Sequence, residues 1–119
     1  MVKSHNFREL IIWKEAMKLV KQVYTLTSQL PSEEKFGLVS QINRCAVSIP
    51  SNIAEGSGRS TERDFLRFLN FAISSSYELE TQLILVGDLF NIESKSILLE
   101  LESLQKMIGA FKRKLKIEI

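Results

Sequence analysis

Hydrophobic residues recur at three- and four-residue steps along nearly the whole of a chain that holds only two prolines, Pro31 and Pro50, and five glycines. That period is the period of a helix face, and the scarcity of breakers leaves room for long helices rather than many short strands. In the first segment, about residues 8–29, two adjacent rows follow it. One is Leu10, Trp13, Met17, Val20 and Tyr24, and the other is Ile12, Ala16, Leu19, Val23 and Leu26. Two rows make a wide apolar face, as a helix with more than one neighbour requires. Pro31 stops this helix, because the residue before a proline is pushed out of the helical region.

The second segment, about 33–57, opens with Ser32, Glu33 and Glu34, a cap followed by negative charge at the positive end of the helix dipole. Its row is Phe36, Val39, Ile42, Ala46, Ile49 and Ile53. Pro50 falls inside the row, which resumes beyond it, so a kink is expected there and not a stop. Gly56-Ser57-Gly58 ends the helix, with glycine available for a left-handed cap. The third segment, about 61–89, carries Phe65, Phe68, Leu69, Ala72, Ile73, Leu79, Leu83 and Val86, with the small residues Ser74, Ser75 and Ser76 mid-helix. The fourth, about 94–116, carries Ile97, Leu98, Leu101, Leu104, Ile108, Phe111 and Leu115. Helices of similar length, roughly 30 Å each, joined by short loops predict an all-α chain. The expected fold is one domain over residues 1–119, an antiparallel up-down-up-down four-helix bundle with its second helix kinked at Pro50.

At 119 residues, 45% hydrophobic and 25% charged, the chain has ordinary globular composition and enough length for a core without staples. Cys45 is the single cysteine, which suits a reducing compartment. The opening MVKSHNFREL has no apolar stretch of the kind a signal peptide needs, and no apolar run approaches the roughly 20 residues that span a bilayer. A cytoplasmic protein with no membrane partner is expected.

The groups that chemistry needs are missing. One histidine, His5, and one cysteine cannot make a zinc site, and no Glu-x-x-His pair exists for a di-iron bundle, so no metal or other cofactor is expected. Cys45 lies on the apolar side of the second helix beside Ala46 and Ile49, where a buried structural thiol is expected. The serines lack a histidine partner. The glycines Gly56 and Gly58 follow a helix rather than a strand and match neither phosphate-loop pattern. Glu78 and Glu80, two apart on a helix, face different sides, and Glu55 with Arg59 is expected to brace the turn after the second helix. No catalytic residues are assigned, and a non-enzyme is expected.

The basic residues form three stripes: Lys14, Lys18 and Lys21; Arg63 and Arg67; and Lys112, Arg113, Lys114 and Lys116. Stripes of this kind bind phosphate backbones, and they also occur as plain solvated faces, here with Glu15, Glu62 and Glu118 interspersed. The net charge of +2 permits nucleic acid without demanding it.

A block of mixed polar and small residues goes beyond what helical periodicity requires. It comprises Phe36-Gly37-Leu38-Val39-Ser40-Gln41, Arg44-Cys45-Ala46-Val47-Ser48-Ile49-Pro50, Asn52-Ile53-Ala54-Glu55-Gly56 and Arg59. The block resembles the four-helix bundle family named for proteins encoded in 23S rRNA intervening sequences. The likeness extends upstream through Leu10, Trp13, Ala16, Leu19, Tyr24 and Leu30-Pro31. Downstream it runs through Phe65, Phe68, Leu69, Ala72, Ser75, Glu78 and Gln82-Leu83, so it covers nearly the whole chain. Cys45 is a departure, since the family more often has alanine there.

The resemblance implies a bacterial, non-enzymatic bundle that assembles into a ring, commonly a homopentamer. It also implies similarity to the accessory variability protein of diversity-generating retroelements, a basic pentamer that contacts a reverse transcriptase and nucleic acid. An apolar excess at Ile11, Phe71 and Leu99 fits self-assembly. Two functions remain open on the residues. The first is an oligomeric module for RNA or another nucleic acid, using the three basic stripes, with RNA or a nucleic-acid enzyme as partner. The second is a protein-interaction scaffold, in which Arg44, Asn52, Glu55, Gly56 and Arg59 organise the hairpin between the second and third helices.

Overall fold

The computed structural model describes residues 5–115. Four helices fill it, and no strand occurs among the described residues: α1 (Ile11–Thr27), α2 (Leu38–Ser57), α3 (Glu62–Phe90) and α4 (Lys95–Lys114). The body measures 50 × 24 × 23 Å, long in one direction and two helices wide in the others. α1 packs on α2 and α4, and α3 packs on the same two, so α1 and α3 lie on opposite corners.

Each helix contributes one stripe to the core. Ile12, Ala16, Leu19, Val23 and Leu26 of α1 are buried, while the parallel row Trp13, Met17 and Val20 is half-buried on the shoulder. α2 adds Ile42, Cys45, Ala46, Ile49 and Ile53; α3 adds Phe65, Leu69, Ala72, Leu79, Leu83 and Val86; α4 adds Ile97, Leu101, Leu104 and Ile108. Polar side chains also tie helix to helix. Thr27 Oγ1 donates to Asn43 Oδ1 at 3.0 Å, Cys45 Sγ donates to the Ser75 carbonyl at 3.1 Å, and Gln105 Nε2 donates to Glu80 Oε1 at 3.0 Å.

The ends of the elements depart from the sequence expectation in several ways. Ser32–Glu34 forms a separate 3-10 turn with no side-chain cap, and α2 begins only at Leu38. The reason is Gly37, whose φ of −106° and ψ of −104° fall outside the helical region. Phe36, expected in the apolar row of the second helix, therefore lies in the turn and is 89% exposed. At the far end, Gly58 caps α2 with φ −89°, so its glycine is not used for a left-handed turn. The left-handed residue is Asn91, φ 55°, which ends α3. Of Gly87 and Asn91, the two residues whose chemistry marks a helix end there, Asn91 does so and Gly87 lies within the helix. Thr61 caps α3 as its sequence suggests, accepting from the Asp64 backbone N–H at 3.0 Å.

α2 runs unbroken through Pro50. Proline removes an N–H, and two neighbouring side chains bind carbonyls close to it. Ser48 Oγ donates to the Cys45 carbonyl at 2.6 Å, and Asn52 Nδ2 donates to the Ser48 carbonyl at 2.8 Å.

Where α2 meets α3, a glycine is required. A Cβ on Gly56 would sit 2.7 Å from Phe68 Cβ and 2.9 Å from Phe65 Cδ1, closer than real carbon atoms approach. The first of these partners is anchored to the α3 backbone and cannot swing aside. Gly56→Ala is expected to destabilise the fold by about 1–2 kcal/mol. Overpacking costs about 1–3 kcal/mol, and the gain in helix propensity of about 1 kcal/mol recovers only part of it. Chemical denaturation of the two proteins measures this, and equal or greater stability of the alanine variant would contradict the close approach.

Candidate nucleic-acid interface

Four helix termini converge at one end of the molecule. The His5 backbone N–H donates to the Ser57 carbonyl at 3.1 Å, tying the segment before α1 to the end of α2. The His5 ring lies 5.0 Å from Phe65 and 6.0 Å from Phe111, and the latter two rings are 5.5 Å apart. This joins the start of α3 to the end of α4. A surface depression lined by Glu9, Leu10, Ile11, Met107, Phe111 and Lys114 joins the start of α1 to the same end of α4.

The consequence is electrostatic. Among the described residues, Arg8, Arg59, Arg63, Arg67, Lys112, Arg113 and Lys114 share this end with Glu9, Glu55, Glu62 and Asp64. The opposite end carries Glu33, Glu34, Asp88 and Glu93 against Lys35 and Lys95. Two of the three sequence stripes are therefore brought together, Arg63 and Arg67 with Lys112, Arg113 and Lys114. The third, Lys14, Lys18 and Lys21, is exposed along the outer face of α1 and runs away from this end. Lys18 is held by Glu15 at 3.0 Å. Lys116 lies outside the described residues.

Local chemistry explains most of the placement. Lys112, Arg113 and Lys114 occupy the last turn of α4, where cations meet the negative end of the dipole, and none of them pairs with an acid among the described residues. Glu62 and Asp64 occupy the first turn of α3, where anions are favoured. Arg67 Nε lies 3.8 Å from Asp64 Oδ1, an exposed pair of small energetic weight.

The hairpin residues divide into two groups. Glu55, Gly56 and Arg59 meet at the α2–α3 turn. Arg59 Nη2 donates to Glu55 Oε2 at 2.8 Å, and its guanidinium lies 4.6 Å over the ring of Phe68. Gly56 packs against the Cβ of the same Phe68 and the ring of Phe65. Arg44 and Asn52 do not reach the turn: Arg44 Nη2 donates to Ser40 Oγ at 3.4 Å, and Asn52 serves the backbone around Pro50. Sequence reasoning did not single out Arg8, whose guanidinium stacks on Phe7 at 4.5 Å, as part of the basic set. The antiparallel order expected from the short loops was the signal that could have found it, because such an order puts the start of the first helix beside the end of the fourth.

Among the described residues no group of three or more His, Cys, Asp or Glu is placed to hold a metal ion. No helix among them is long and apolar enough to cross a membrane. Cys45 is buried, and its thiol is pushed up to about 12 from a usual value near 9, by desolvation first and by the negative charge of Glu78 second.

Residues 8–110 match the family described as the 23S rRNA-intervening sequence protein. The chain belongs to this family. Among solved structures, this family member is similar to a crystal structure from Bacteroides thetaiotaomicron, a protein of unknown function from the S23 ribosomal protein family. The TM-score is 0.80 at 24% identity, over 87% of this chain and 100% of that one, which shows a shared fold. No curated protein matches the chain. Neither the family description nor that of the structural neighbour names an enzymatic activity.

The raised thiol of this family member has a measurable consequence. Folding favours the protonated thiol, so its contribution is fully present below about pH 9 and is lost as the pH rises toward about 12. The stability of the natural protein is expected to fall over that alkaline window more than that of Cys45→Ala. Denaturation of both at a series of pH values checks this, and parallel curves would contradict the burial of the thiol.

Proposed function

We propose that this chain is a non-enzymatic, oligomeric nucleic-acid-binding module, RNA foremost, that presents a basic end to phosphate backbones. The observation that carries the reading is the gathering of seven cations, Arg8, Arg59, Arg63, Arg67, Lys112, Arg113 and Lys114, at one end. The rRNA in the family's description is consistent with it. In this reading the four helices alternate in direction as one domain, α2 bends at Pro50, and the protein works in the cytoplasm. Several copies form a closed ring, a homopentamer by the family resemblance, which would multiply the basic end around one axis and raise the local field. Contacts of this kind position phosphates without reading sequence, which suits an accessory to a nucleic-acid enzyme. Lys14, Lys18 and Lys21 add charge along the outer face of α1.

A protein-interaction scaffold is the second reading. Its support is a groove of about 260 Å³ between α1 and α2, lined by Trp13, Met17, Val20, Val47, Pro50 and Ala54. The exposed side chains of Ile11, Leu89 and Leu99 support it as well.

Reversing Lys112, Arg113 and Lys114 to glutamate separates the two. Binding of a structured RNA, followed by fluorescence anisotropy across a salt series, is expected to weaken at least tenfold. The slope of log K against log salt is expected to become shallower by about 2–3, as three lost phosphate contacts dictate. Unchanged affinity and slope would remove this end from the function and favour the scaffold. Light scattering with and without nuclease reads the assembly itself.

A further inference from the structure

The first three turns of α3 hold a feature that phosphate binding does not use. Phe71 is 45% exposed, although the core stripe of α3 is complete without it. It is also not a bare apolar side chain. The ring of Phe68, 7% exposed, meets it edge-on at 5.6 Å and 89°, which braces it from below. Phe68 is in turn covered by two guanidinium groups, Arg59 at 4.6 Å and Arg67 at 5.2 Å. Arg67 reaches on to Phe71 at 5.8 Å, and its Nε lies 3.8 Å from Asp64 Oδ1. The order Arg59, Phe68, Arg67, Phe71 is a run of alternating cations and rings that ends in an exposed aromatic side chain. Exposed Asn70 and Ser74 flank it with hydrogen-bonding groups.

We infer that Phe71 and Arg67 form a stacking platform for a base of an unpaired RNA strand, whose phosphates are held by the neighbouring cations of the basic end. The inference rests on the nucleic-acid reading above and names the form of nucleic acid. Aromatic rings and guanidinium planes both accept a base face, and every base has one. A paired base offers its faces only to its neighbours in the duplex, and the narrow major groove of A-form RNA does not admit a side chain from a convex helix. An unpaired base can swing out onto the ring. The brace under Phe71 leaves little side-chain freedom to be lost on binding, and the cations supply the attraction that brings the strand there.

The test compares Phe71→Leu with the natural protein. Leucine keeps an apolar side chain and removes the ring at an exposed position. The probes are a short single-stranded RNA carrying one fluorescent base analogue and the same strand annealed to its complement. Phe71→Leu is expected to bind the single strand about tenfold more weakly, to lose the stacking quench of the analogue, and to bind the duplex as before. Phe71→Trp is expected to restore both affinity and quench. If Phe71→Leu binds the single strand as tightly as the natural protein while reversal of Lys112, Arg113 and Lys114 abolishes binding, the platform is overturned and the nucleic-acid reading stands. If the natural protein binds neither probe, both fall. A change of particle mass in Phe71→Leu, read by light scattering, would assign the ring to a contact between copies and overturn the platform.

Discussion

The approach of α2 to α3 governs the rest of the molecule. Gly56 has no room for a side chain beneath Phe65 and Phe68, so the two helices touch at the turn with nothing between them. Further along, small groups keep the seam narrow: Cys45 donates to the Ser75 carbonyl, and Ala72 and Ser76 are fully buried. A narrow seam fixes where the start of α3 points. It therefore fixes Phe65, and through the contacts of Phe65 with His5 and Phe111 it fixes the segment before α1 and the end of α4. Close packing transmits such a constraint because a dense interior does not deform gradually.

That chain of contacts turns local helix chemistry into a global charge distribution. The last turn of α4 favours cations and the first turn of α3 favours anions, so the two effects alone would leave a mixed end. The balance tips because α3 continues with Arg63 and Arg67 after its acidic turn, and because Arg59 follows α2 in the connecting turn. Glu55 holds Arg59 only at its edge, leaving the guanidinium plane on Phe68. A helix-stabilising arrangement and a phosphate-attracting one coincide here, so the basic end adds little strain to the fold.

The helices were legible because their apolar period is long and is broken at Pro31, at Gly56-Ser57-Gly58 and around Asn91. The start of α2 was not legible. Ser32, Glu33 and Glu34 have the chemistry of a helix start, yet Gly37 breaks the backbone three residues later, and periodicity does not register one residue's dihedral angles. Likewise Phe36 fits the apolar row by spacing and ends in water, because the turn rotates it off the helix. The pair Glu55 and Arg59 was legible from its four-residue step. The ring beneath Arg59 was not, since Phe68 lies across a turn whose tightness depends on Gly56. Each basic stripe could be read on its own helix, whereas their convergence is a property of helix ends meeting in space.

The exposed apolar side chains divide along the same line. Leu89 and Leu99 are exposed aliphatic side chains, whereas Phe71 sits beneath Arg67 and against Phe68. Bare aliphatic surface gains most from being covered by other apolar surface, which is what association between protein surfaces provides. A ring beside a guanidinium group gains from a flat, polarisable partner and would be poorly served by aliphatic cover, which would desolvate the cation without pairing it. On the proposed function, assembly and nucleic-acid binding would therefore draw on different parts of this surface. A ring of copies built on Leu89 and Leu99 would leave the basic end and its aromatic platform open to a strand.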